Sequence, residues 1–197
     1  MKKTNTVLNG VDLDRLTGTV EAVTEQPFLG KFQFRLMNEW ISGGHNLSAI
    51  REFYGAGKED DSRKKSFIYA NDEPDILLGK DNAPNPAEFV LHALAGCLTT
   101  SLVYHAAARG YEITKVRSKL EGDLDLRGFL GIDGAARNGY KEIRISFEIE
   151  GNFPEEKKEE ILQLGSAFSP VFDIIRNGVP VKINLADIVE QETELHY

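Results

Sequence analysis

Asn85-Pro86-Ala87-Glu88-Phe89-Val90-Leu91-His92-Ala93-Leu94-Ala95-Gly96-Cys97-Leu98-Thr99-Thr100-Ser101-Leu102-Val103-Tyr104-His105-Ala106-Ala107-Ala108 is the stretch that decides how this chain folds. It opens as a helix start should. Asn85 accepts a backbone donor, Pro86 suits the first turn, and Glu88 reaches back to the cap. Small and apolar residues then run on until Gly110 stops the helix. About 23 residues at ~1.5 Å each predict a helix of roughly 34 Å. Such a length also spans a bilayer, but His92, Thr99, Thr100, Ser101 and His105 interrupt the run. A helix apolar nearly all round, without flanking anchors, is expected in a protein core and not in a membrane.

Upstream of this helix the expected elements are mostly strands. Leu16–Val23 alternates imperfectly, and Lys31–Leu36 places Phe32, Phe34 and Leu36 on one face with Lys31, Gln33 and Arg35 on the other. The two predict a hairpin around Pro27 and Gly30, extended by Trp40 and Ile41 as far as Gly43-Gly44. Asn46–Tyr54 has apolar residues at helical spacing and predicts a short helix. Gly55–Ser66 predicts a loop, and Phe67–Ala70 a short strand.

Downstream, Ile113–Leu126 and Tyr140–Glu150 predict strands around a glycine-rich excursion at Arg127–Gly139. Pro154 opens a second helix, from Glu155 to about Phe168, with acids in its first turn to suit the dipole. Ser169-Pro170 breaks it, a short helix runs to Arg176, and Val179–Leu185 alternates as a final strand. Strands, long helix, strands, helix, strand is the order of an α+β fold with antiparallel sheets, not of a doubly wound parallel sheet.

At 197 residues the chain predicts a single domain over 1–197, with an N-terminal tail of about 1–16. With 41% hydrophobic and 27% charged residues it has the balance of a folded soluble protein. The start, Met1-Lys2-Lys3-Thr4-Asn5-Thr6, lacks a secretory h-region, so the cytoplasm is the expected compartment. A net charge of −8 argues against nucleic acid as a partner. The densest basic run, Arg63-Lys64-Lys65, follows Glu59-Asp60-Asp61 and reads as a solvated loop.

Cys97 is the only thiol. By position it reads as a core cysteine, since burial makes a thiol inert. Chemistry there needs a cation delivered by tertiary contact, because Cys97 lies too far from the helix N-terminus to use the dipole. A metal or other cofactor is not expected. The histidines show no ligand spacing, and the five-residue step from His92 to Cys97 turns the two side chains about 140° apart. Neither a phosphate-binding loop nor a Gly-x-Ser-x-Gly elbow is present.

Pro86–Thr100, with its acid, its alanine-rich run and Gly96 before Cys97, resembles the signature helix of the OsmC-like family, which includes the organic hydroperoxide resistance proteins. Ala106-Ala107-Ala108-Arg109-Gly110 is similar to the family's helix exit, and Ser169-Pro170-Val171 to its later helix junction. The likeness covers residues 17 to 185. It implies an OsmC-like fold, with a long central helix in each chain of an intertwined homodimer. It also implies a thiol peroxidase of the oxidative stress response that reduces organic hydroperoxides, with Cys97 oxidised to sulfenic acid. A glutamate and an arginine would poise the thiolate; Glu88 is the candidate acid, and the motif does not place the cation, for which Arg35, on the polar face of the second expected strand, is the candidate, with Arg51 as runner-up.

The chain departs from that pattern twice. Ser169 stands where family peroxidases carry a second cysteine, and Ala87 stands at the position of their acid. Glu88, one step later, is then either the acid or only the cap. A one-cysteine cycle needs an external thiol reductant. The competing reading is a non-enzymatic dimeric module that binds a small hydrophobic ligand.

Overall fold

The computed structural model describes residues 6–185. The described chain forms two compact units, one of residues 6–14 and 90–179, the other of residues 15–89 and 180–185. The first unit begins with a small antiparallel hairpin of β1 (Val7–Leu8) and β2 (Val11–Asp12), turned by Asn9 and Gly10 at positive φ. Asn9 ties the hairpin to the same unit, donating to the Tyr111 carbonyl and accepting from the Ile113 amide. The expected tail is therefore ordered from Val7 onward.

Helix α1 (Leu13–Glu25) occupies the segment where the first strand was expected. Its apolar residues Leu13, Leu16, Val20 and Val23 recur at helical spacing. The threonines that suggested a strand instead donate back to carbonyls one turn earlier, Thr19 to Arg15 and Thr24 to Val20. Local periodicity outweighed β propensity here.

The second unit holds two three-stranded antiparallel sheets. One has the order β3-β6-β7, from β3 (Gln33–Phe34), β6 (Phe53–Gly55) and β7 (Lys58–Asp60); the other has the order β4-β5-β8, from β4 (Met37–Ser42), β5 (His45–Ile50) and β8 (Phe67–Asn71). The strand at Phe67 is as expected, and Trp40 and Ile41 lie in β4. The helix expected over Asn46–Tyr54 is two strands, and β7 lies inside the expected loop. Its helical spacing arose from reading two strands as one element across Arg51-Glu52. Sheet pairing prevails because Leu47 and Ala49 are buried on alternate positions of β5. Asn38 Nδ2 clamps the pairing by donating to Asn46 Oδ1, the Leu47 carbonyl and Ser48 Oγ.

The loop leading to the long helix is built around Asp72, which is 1% exposed. Its carboxylate accepts from the backbone of Glu73, Lys80 and Asn82 and from the Asn82 amide. Burial pulls the Asp72 pKa up, but these donors together outweigh it and hold the carboxyl below its ordinary value. Gly79 lies so close to the Glu73 carbonyl that any side chain there would collide with it.

Helix α2 (Pro86–Ala108) matches the expected 23 residues. It is long and apolar enough to cross a membrane, yet it is a core helix: Leu94, Leu98, Leu102 and Ala106, one turn apart, are buried. Gly110, at φ 79°, ends it, as left-handed backbone favours glycine. The expected strands follow as an antiparallel pair, β9 (Glu112–Asp123) and β10 (Glu142–Asn152), with α3 (Leu126–Phe129) in the excursion between them. Leu102 and Ala106 pack with Ile149 of β10 and with Ile161 and Leu164 of α4 (Lys158–Phe168). Helix α5 (Pro170–Asn177) follows directly. Val179–Leu185, the expected last strand, is not in a sheet, and Val179, Val181, Ile183 and Leu185 are exposed. Mixed α and β structure with antiparallel sheets is the α+β class the sequence predicts.

Candidate functional site

Cys97 sits midway along α2, between the buried Leu94 and Leu98, and is itself half-buried. Its side chain is thus neither sealed in hydrocarbon nor fully in water. Among the described residues no arginine hydrogen-bonds its sulfur.

Glu88 forms the predicted capping box. Its carboxylate accepts from the Asn85 amide at 2.9 Å, and Asn85 Oδ1 accepts from the Glu88 amide at 2.9 Å. Two otherwise unpaired helix donors are satisfied reciprocally. Arg35, in the second unit, donates both terminal nitrogens to Glu59, at 2.7 and 2.8 Å, and one of them also to Gln33. The hydrogen bond to Glu59 raises the Arg35 pKa, so the guanidinium stays charged. Arg51 donates to the Arg63 carbonyl. Each candidate partner thus already has a local contact of its own.

The later part of α2 shows what the sequence did not. Ser101, one turn beyond Cys97 on the same face, donates Oγ to the Phe168 carbonyl at 3.3 Å. His105, one turn further, stacks on the Phe168 ring with centroids 3.7 Å apart and planes at 14°. Arg109 lies over the same ring at 5.7 Å, approaches His105 Nδ1 at 3.4 Å and donates to the His105 carbonyl at 3.1 Å. Gly165 lets α4 approach this face, since an added Cβ would stand 3.1 Å from the Leu98 carbonyl. These four contacts fasten the α4–α5 junction to the turns of α2 that follow Cys97. Residues about sixty or more apart make them, so no local pattern announces them.

Ser169, at that junction, is 3% exposed and caps α5: its Oγ accepts from the Phe172 amide at 3.1 Å. The hydroxyl is doing what serine does well at an N-cap.

Burial, and then the Arg109 cation, hold the His105 imidazole below its ordinary pKa. The neutral ring offers Nδ1 as an acceptor to Arg109; a protonated ring would turn a donor toward a donor. Two cations at this spacing repel by about 1–4 kcal/mol between bulk-water and surface dielectric. An imidazolium over a phenyl face regains only about 0.5–1 kcal/mol at an exposed site. Repulsion wins, and the stack favours neutral histidine.

The sequence profile described as OsmC-like protein matches residues 79–184. No curated protein sequence matches the chain. Among solved structures, an OsmC-like protein from Mycoplasma pneumoniae is similar with a TM-score of 0.57 and 16% identity, covering 74% of this chain and 88% of its own. An organic hydroperoxide resistance protein OsmC from Legionella pneumophila has a TM-score of 0.52 and 16% identity over 76% of this chain and 93% of its own. An OsmC-like protein of unknown function from Vibrio cholerae has a TM-score of 0.53 and 10% identity over 72% and 92%. At such identities the structures speak for the fold. The profile spans more than half of the chain, including α2 with Cys97 and the α4–α5 junction, and the chain belongs to the OsmC-like family.

Proposed function

We propose that this protein reduces organic hydroperoxides through Cys97, as a cytoplasmic homodimer that draws on an external thiol. The observation that carries the proposal is the placement of a half-buried thiol on the family's own helix. In the first step the Cys97 thiolate attacks the outer peroxide oxygen; the O–O bond breaks, and alcohol and a sulfenic acid form. A thiol from solution then displaces water to give a mixed disulfide, and a second thiol restores Cys97 and leaves as the external disulfide. Ser169 has no part in this cycle except to hold α5, which suits a one-cysteine scheme.

A poised thiolate needs a cation, and we assign that part to Arg35, with Glu88 orienting it. A second copy is the proposed means of assembly. The apolar surface left open in one chain supports it: β4 is exposed throughout, Trp40 and Phe34 are each 70% exposed, and the alternating residues of Val179–Leu185 face solvent.

Stopped-flow mixing with cumene hydroperoxide and a small dithiol tests the assignment. Wild type should consume peroxide and Cys97→Ser should not; equal rates for the two would end it. The second reading, a dimeric binder of small hydrophobic ligands, is favoured by one observation: Glu88 and Arg35 are both engaged in local pairs. It predicts no peroxide consumption, and equal binding of an apolar fluorophore by wild type and Cys97→Ser.

A further inference from the structure

We propose that neutral His105 is a latch that holds Phe168, and with it the α4–α5 junction, against α2, so that protonating His105 frees the junction and changes access to Cys97. Where it concerns access to a reacting thiol, the proposal rests on the function proposed above; the latch itself does not. His105 is a positioning residue in this account and touches no substrate.

The argument begins with what faces the ring. Phe168 covers one face of it at 3.7 Å. Arg109, in the turn just after α2, meets Nδ1 and also lies over Phe168. From α4, the Glu160 carboxylate is held below its ordinary pKa by Lys157 first, then by the Tyr111 hydroxyl, and least by the Arg109 charge. On α5, Asp173 is tied to the Asn177 amide, and Arg176 lies over Phe172. Arg109 is thus the charge whose field the imidazole feels. Protonation sets two cations side by side over one phenyl ring, and the weakest tie, the stack on Phe168, is the one that yields.

What yields with it is short and specific. The Phe168 carbonyl accepts from Ser101, and the next residue, Ser169, supplies both the cap of α5 and the Asp173 amide's acceptor. Ser101 is the residue one turn after Cys97 on the same face. A junction released at Phe168 therefore opens the surface next to the thiol while the core under α4, Ile161 and Leu164, stays packed. Cys97 access thereby follows pH without unfolding.

The test is hydrogen exchange of residues 169–177 in the full chain between pH 5 and 7.5, corrected for intrinsic chemistry, with parallel labelling of Cys97 by 4,4′-dithiodipyridine referenced to free cysteine. In wild type both should rise on acidification by about threefold to tenfold, the factor of one lost ring pair. His105→Phe keeps a ring that cannot protonate, and both readouts should become flat. Arg109→Gln removes the opposing cation and should move the midpoint to higher pH, visible in the His105 C2–H resonance. Equal pH dependence of exchange in wild type and His105→Phe overturns the latch, as does an unmoved midpoint in Arg109→Gln. Exchange that responds while Cys97 labelling does not overturns the link to the thiol. Failure of peroxide turnover with pH-dependent exchange intact counts against the proposed function and supports the latch.

Discussion

The two ends of α2 are held in opposite ways. The first turn is fastened by a capping box of four consecutive residues, Asn85 to Glu88, each a neighbour of the next in sequence. The later turns are fastened by Phe168 and Gly165, more than sixty residues downstream. Loss of a local cap frays one end; loss of a distant contact loosens a packed unit. The difference separates what a helix needs in order to start from what it needs in order to be placed.

Leu102→Ala should show the largest effect. Leu102 is fully buried between α2, α4 and β10, and its truncation is expected to cost about 3 kcal/mol, read by urea denaturation, with protection lost across residues 90–168 together. A loss confined to the helix end would erase the distinction between the two ends. Gly165→Val comes next, at about 1–3 kcal/mol, because a branched side chain would press on the Leu98 carbonyl and the Leu102 Cβ. Asn85→Ala should cost about 1 kcal/mol, with faster amide exchange limited to the first turn of α2. The smallest effect is the pH dependence from His105. Its folded pKa lies below the ordinary ~6.5, so its contribution is present above that value and is lost as pH falls through it toward the folded pKa. His105→Phe should remove that slope from a titration of stability against pH.

Sequence reading succeeded where the governing interactions are local. The α2 boundaries followed from Asn85, Pro86, Glu88 and Gly110, and β10 from the alternation of Ile143, Ile145, Phe147 and Ile149, with β9 read as the strand-like stretch before the glycine-rich excursion. The break at Ser169-Pro170 held because serine caps and proline starts a helix. The chain before Phe67 was read less well, because two short strands, β5 and β6, mimic helical spacing when joined, and threonine back-bonding hides α1. Val179–Leu185 has the alternation of a strand and, among the described residues, no strand beside it. Cys97 and Glu88 were legible as candidates by position, whereas Ser101, His105, Arg109 and Phe168 were not. Their only signal is a polar residue every fourth position after Cys97, which a solvated stripe shows equally.

Everything functional turns on whether the Cys97 sulfur is oxidised by a peroxide. Intact-mass and peptide mass spectrometry after brief exposure to cumene hydroperoxide, with dimedone as trap, reads that directly. One dimedone adduct per chain, located at Cys97 and suppressed by prior incubation with dithiothreitol and peroxide in turnover, is the expected result. An unmodified Cys97 under conditions that oxidise free cysteine would contradict it.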